Sequence, residues 1–105
     1  MIKKAVRMKI FPDMYNEYEK RHKEIWPEMK EMLKEHGCIS YTIWLDKSTS
    51  YLFAYMEIED ELKWQATAET EINQKWWYYM KDVMETQVDY SPTTVTLNQV
   101  FDLFE

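Results

Sequence analysis

The chain has 105 residues, a formal net charge of −6 and a pI near 5. That length suits one domain, residues 1–105, able to bury a core without disulfides. The basic face expected of a nucleic-acid binder is not visible in the sequence, and the acidic balance disfavours polyanionic or membrane-surface partners, so neither nucleic acid nor membrane is expected as a partner. Cys38 is the single cysteine, which excludes an intrachain disulfide and a cysteine metal cluster and reads as a small buried hydrophobe. Charges interleave with the apolar residues of the first seven positions, so no signal peptide is expected there. No later segment is apolar enough to span a bilayer. A cytoplasmic setting is therefore expected. Five Trp, eight Tyr and four Phe suit either an ordinary aromatic core or a core that doubles as a ligand pocket.

The elements run as follows. Ile2 to Phe11 alternates apolar and charged residues and predicts a strand with one covered face. Pro12-Asp13 ends it, and Asp13 is a helix N-cap candidate. Met14 to His36 carries a helical stripe of Met14, Tyr18, His22, Ile25, Met29, Met32 and Leu33. Pro27 should kink or interrupt this helix near Trp26, and Gly37 should stop it. Ile39–Leu45 and Tyr51–Ile58 alternate again and predict a hairpin. A short helix is expected over Asp60–Ala68. A second is expected from Glu71 to Met84, capped by Thr70, with Ile72, Trp76, Met80 and Val83 as its stripe. Glu85 to Pro92 reads as a loop. Thr94–Phe104 holds a last strand, placed around Val100–Phe104.

The order β-α-β-β-α-β is the ferredoxin-like α+β pattern, a four-stranded antiparallel sheet with helices on one face. The other face would leave strand aromatics wet, so a homodimer pairing sheet to sheet is expected.

His22 sits within the apolar stripe, with Tyr18 one turn earlier on the same face. Two readings stand for the pair. It is a satisfied core His–Tyr contact, or it is a proton-transfer pair, because imidazole titrates near neutral pH. His36, beside Gly37 at the helix end, reads as structural. Adjacent residues on a helix point about 100° apart, so Trp76 and Trp77 diverge: one suits the core and the other a pocket wall. An aromatic wall beside an acid–base group suits a sugar, whose C–H face stacks while its hydroxyls take hydrogen bonds. A phosphate loop, a nucleophile elbow and a Cys-x-x-Cys pair are all absent from the sequence.

In several ordered blocks the sequence resembles the L-rhamnose mutarotases. These are Tyr18-Glu19-Lys20-Arg21-His22, Ile25-Trp26-Pro27-Glu28, Tyr41-Thr42-Ile43-Trp44-Leu45-Asp46-Lys47, Trp76-Trp77-Tyr78-Tyr79-Met80, Asp82-Val83-Met84 and Ser91-Pro92, with Val100-Phe101 near the end. The resemblance implies a dimeric α+β barrel that interconverts the α and β anomers of L-rhamnose without metal or organic cofactor. It implies that His22 is the proton donor and that Tyr18, Tyr41, Trp76 and Trp77 contact the sugar. On that mechanism protonated His22 feeds the ring oxygen, while Tyr18 or a water relays the other proton. Trp44 and Tyr90 depart from the pattern, which has Tyr and Asn there. Trp44 lies on the opposite strand face from Tyr41; Tyr90 lies in a loop at the expected pocket rim. The alternatives are a dimeric α+β barrel monooxygenase or haem-degrading protein, with His22 at iron or at an oxygen intermediate, and a non-catalytic binding module.

Overall fold

The structure, a computed structural model, describes residues 1–104. β1 spans Ile2–Lys9, β2 Cys38–Asp46, β3 Tyr51–Ile58 and β4 Val95–Leu97. They form one antiparallel sheet in the order β2-β3-β1-β4, which is the ferredoxin-like arrangement predicted. β3 shows why period two works: Leu52, Ala54, Met56 and Ile58 are buried while Tyr51, Phe53, Tyr55 and Glu57 are not. The register carries that sidedness across the sheet. Ala54 opposes Val6 and Ile43 on the covered face, and Phe53 opposes Arg7 and Trp44 on the other.

Pro27 interrupts the first helical segment rather than kinking it. α1 spans Tyr15–Lys23, and α2 spans Pro27–Glu35 with Pro27 in its first turn. The residue before a proline is pushed out of the helical region, and Trp26 is extended (φ −61°, ψ 134°). The expected stripe nevertheless stays on one side: Tyr18, Met29 and Met32 are buried, and Met14, Ile25 and Leu33 pack against them. Asp13 does not cap α1. Met14 holds the cap position, without a side-chain hydrogen bond. Gly37 stops α2 at φ +83°, and its carbonyl accepts from the Glu59 N–H. A Cβ there would lie 3.2 Å from the Glu59 Cβ, so both space and backbone favour glycine.

α3 spans Glu61–Gln65, followed by a 3₁₀ turn over Ala66–Glu69. Asp60 and Thr70 cap α3 and α4 by accepting from the Lys63 and Asn73 N–H groups. α4 spans Glu71–Met80 and ends one turn before the expected Met84. Residues 83–85 pair with the end of β1 instead. The Phe11 N–H donates to the Val83 carbonyl, the Glu85 N–H donates to the Lys9 carbonyl, and Met84 bridges Ile10. The last strand also lies earlier than expected. Val95–Leu97 pairs with Ala5–Arg7, whereas Val100, Phe101, Leu103 and Phe104 are exposed.

Helices cover one sheet face. The other carries Trp44, 60% exposed, together with Phe53, Val95 and Leu97. Among the described residues no helix is long and apolar enough to cross a membrane.

Candidate active site

A cavity of about 1050 Å³ lies between the helices and the covered sheet face. This is slightly above the usual size of small-molecule sites, about 300–1,000 Å³. All five sequence-selected residues line it: Tyr18 and His22 from α1, Tyr41 from β2, and Trp76 and Trp77 from α4. Five methionines, Met8, Met29, Met56, Met80 and Met84, make up much of its apolar wall.

His22 is half-buried. One ring nitrogen, Nδ1, is 3.0 Å from the Tyr18 backbone carbonyl one turn back. A carbonyl only accepts, so Nδ1 carries the proton and Nε2 is left with a lone pair. The partner is thus the backbone of Tyr18, and its phenol ring instead stacks on the imidazole (4.2 Å between centroids, 28°). Trp76 meets the imidazole edge-on at 5.4 Å. Burial pushes His22 below its ordinary value of 6.5, an effect that the Tyr18 carbonyl partly opposes. The resting imidazole is therefore neutral at pH 7.

The two phenols move the other way. Burial, with the neighbouring Tyr41 second, drives Tyr18 far above its ordinary value. Burial, with Cys38 second, pushes Tyr41 up to about 12, although its side chain leaves the residue 38% exposed at the cavity edge. Both are neutral donors near pH 7.

The aromatic pair of α4 divides as their angular separation requires. Trp76 is 7% exposed and packs against Trp26 (5.1 Å) and Tyr79 (5.7 Å) as well as His22. Trp77 is less buried and walls the cavity. Tyr90 reaches the rim as expected, and Trp44 lies on the far sheet face. His36 is apart from this site; its Nδ1 lies 2.8 Å from the Met32 carbonyl at the end of α2. Cys38 is half-buried on the cavity wall rather than in the core, and burial pushes its thiol up. Among the described residues no group of three or more His, Cys, Asp and Glu could hold a metal ion.

Sequence reasoning missed three contributors. Trp64 of α3 lines the cavity 6.1 Å from Tyr41; its helix was legible but not its side. Lys4 lines it too, paired at 2.5 Å with Glu61, because period two puts Lys4 on the Val6–Met8 face. Arg21 fixes α1 to the end of α4. It donates to the Tyr79 carbonyl (2.6 Å), to both Asp82 oxygens (2.8 and 3.2 Å) and to Glu17 (2.8 Å), and lies 4.3 Å over the Tyr79 ring. The Arg21 guanidinium in turn holds the Asp82 carboxyl below its usual range. Arg21→Ala should lower the melting temperature, because an 11%-exposed cation and its fork of hydrogen bonds are lost; calorimetry reads this directly.

Sheet and cavity define a ferredoxin-like α+β protein with one imidazole set among aromatic walls, the equipment of a small acid–base enzyme. The family follows from comparison with known proteins. The sequence profile described as L-rhamnose mutarotase matches residues 3–103. An L-rhamnose mutarotase of Enterococcus faecalis is 57% identical over 103 residues, covering 98% of this chain and all of that protein. The crystal structure of an L-rhamnose mutarotase from Formosa agariphila superposes with a TM-score of 0.90 at 35% identity, covering 98% of this chain and 99% of that one. The chain belongs to the L-rhamnose mutarotase family. An antibiotic biosynthesis monooxygenase superposes with a TM-score of 0.63 at 16% identity, covering 95% and 99%; that likeness is one of fold alone.

Proposed function

We propose that this chain, an isomerase by family, interconverts the anomers of L-rhamnose with His22 as the proton-transfer group. The observation that carries the reading is the His22 ring itself. Its Nδ1 is held by a backbone carbonyl, and the neutral ring lies on the wall of a sheltered aromatic cavity.

The chemistry follows from that tautomer. Nε2 takes the proton of the anomeric hydroxyl. The O1 electrons form the C1 carbonyl as the C1–O5 bond breaks, and the imidazolium returns the proton to O5. The open aldehyde turns about C1–C2, and the same steps in reverse close the ring on its other face. One imidazole can serve both oxygens because O1 and O5 share C1. The family resemblance implies protonated His22 as the starting donor, with Tyr18 or a water as the second relay. The lowered His22 and raised Tyr18 values favour a neutral His22 that takes a proton first. Tyr18 and Tyr41 then donate hydrogen bonds to sugar oxygens, and Trp76 and Trp77 supply the stacking wall. The apolar methionines suit the C6 methyl.

This order sets the pH dependence. His22 works in its neutral form, so kcat/KM falls as pH drops through a value below 6.5 and is level above it. An initially protonated donor would give the opposite acid limb. The stability sign agrees: the unfolded imidazole binds a proton at higher pH than the folded one. Stability is therefore lost as pH falls below 6.5. An NMR titration of the imidazole alongside the rate profile checks both.

Trp77→Ala should raise the sugar Kd by up to about tenfold, the equivalent of a 0.5–1.5 kcal/mol aromatic contact. Titration followed by tryptophan fluorescence measures it, and unchanged binding would remove Trp77 from the wall.

The exposed sheet face suits a second copy, as in a dimeric α+β barrel. Trp44→Glu would then yield monomers by light scattering. The lone thiol of Cys38 suits the cytoplasm. The central experiment is NMR anomer exchange of L-rhamnose with and without the protein; no acceleration sinks the assignment.

A further inference from the structure

Tyr90 is held in an unfavourable backbone conformation, at φ +70°. A bulky side chain rarely tolerates this region, which suits glycine or asparagine. The loop around it is tightly specified. The Tyr90 N–H donates to the Gln87 carbonyl (2.9 Å), the Gln87 N–H to the Ser91 carbonyl (2.7 Å), and Thr86 bridges Pro92. The ring then stands edge-on against Tyr78 at 5.1 Å. Strain retained inside such a scaffold points to a task for the side chain.

The surroundings indicate that task. A second, smaller and more open groove of about 750 Å³ lies outside the sugar cavity, between the start of α4 and the 89–91 loop. Among the described residues, only Trp77, Ala68 and Tyr90 line both spaces. Ala68 is too small to divide them. The groove offers Gln74, Glu71 and Ser91 as polar partners and Tyr78 as an aromatic face, chemistry suited to a pyranose.

We propose that Tyr90, with Trp77, forms a size gate that closes the cavity against this groove and restricts turnover to free monosaccharides. Opening the gate joins cavity and groove, and admits reducing disaccharides whose second pyranose lies along Tyr78. Tyr90 is a specificity-determining residue on this account. The proposal rests on the mutarotase reading above.

The test uses L-rhamnose and, beside it, L-rhamnose carrying a second pyranose on O3 or O4, with anomer exchange read by NMR for both. The quantity is the ratio of kcat/KM for disaccharide over monosaccharide. The wild-type ratio should be low. Tyr90→Gly should raise it by roughly tenfold or more, the scale on which pocket contacts discriminate substrates. Tyr90→Phe, which keeps the ring, should hold it near the wild-type value. Glycine relieves the positive φ, so the variant should melt no lower than wild type; Tyr90→Asn, also tolerant of this region, is the second variant should glycine loosen the loop. Equal wild-type handling of both sugars overturns the gate, as does an unchanged ratio in the glycine and asparagine variants while rhamnose is still exchanged. Wild-type protein that exchanges no rhamnose overturns the mutarotase reading and the gate with it.

Discussion

Replacing His22 with alanine is expected to lower the rate of rhamnose anomer exchange by about a hundred- to ten-thousand-fold, the usual span for a positioned general acid–base group. No other imidazole can stand in, because His36 is tied to the Met32 carbonyl at the far end of α2. The fold should survive, since His22 is only half-buried and, among the described residues, its side chain makes one hydrogen bond, to a helix carbonyl. Binding should survive too, because Tyr18, Tyr41 and Trp77 remain on the cavity wall. Saturation-transfer NMR measures the exchange, and fluorescence titration measures the binding. Exchange at the wild-type rate would remove His22 from the mechanism.

Trp76→Ala is expected to have the largest effect on stability, about 3–5 kcal/mol. The indole touches His22, Trp26 and Tyr79 at once, and its removal leaves a hole where α1, α2 and α4 converge. Denaturant unfolding measures the loss. Activity should fall with it, because the imidazole loses the edge contact that limits its tilt. A variant as stable as wild type would mean that α1 and α4 are held together mainly by Arg21.

The sheet was legible because its signals are local. Alternation marked β1, β2 and β3, Pro27 broke the first helix, Thr70 capped the last, and Gly37 ended α2. The failures lie where a distant partner decides. Met84 has good helical spacing after Met80, yet the end of β1 claims residues 83–85 for pairing. Val100–Phe104 is the more apolar stretch, but the hydrogen-bonding edge of Ala5–Arg7 is met by Val95–Leu97. Of the candidate site residues, Tyr18 and His22 were legible as a stripe and Trp76 and Trp77 as a pair, whereas Tyr41 entered only through the family resemblance. The spacing of Tyr18 and His22 could not tell a phenol partner from a carbonyl partner, because both lie one helical turn away. Lys4 and Trp64 could not be assigned to the cavity before the position of α3 was known.

The methionine wall bears on the reaction in another way. A pyranose that opens becomes a longer, bendable chain, and its enclosure must change shape with it. Thioether side chains are unbranched and swing at little energetic cost. Five of them line the cavity proposed to hold the sugar, a compliant lining suited to following the aldehyde through its half-turn while the backbone stays still. Swapping two or three for leucine would stiffen that lining at nearly constant volume, and the expected sign is a slower turnover with affinity for the closed ring preserved.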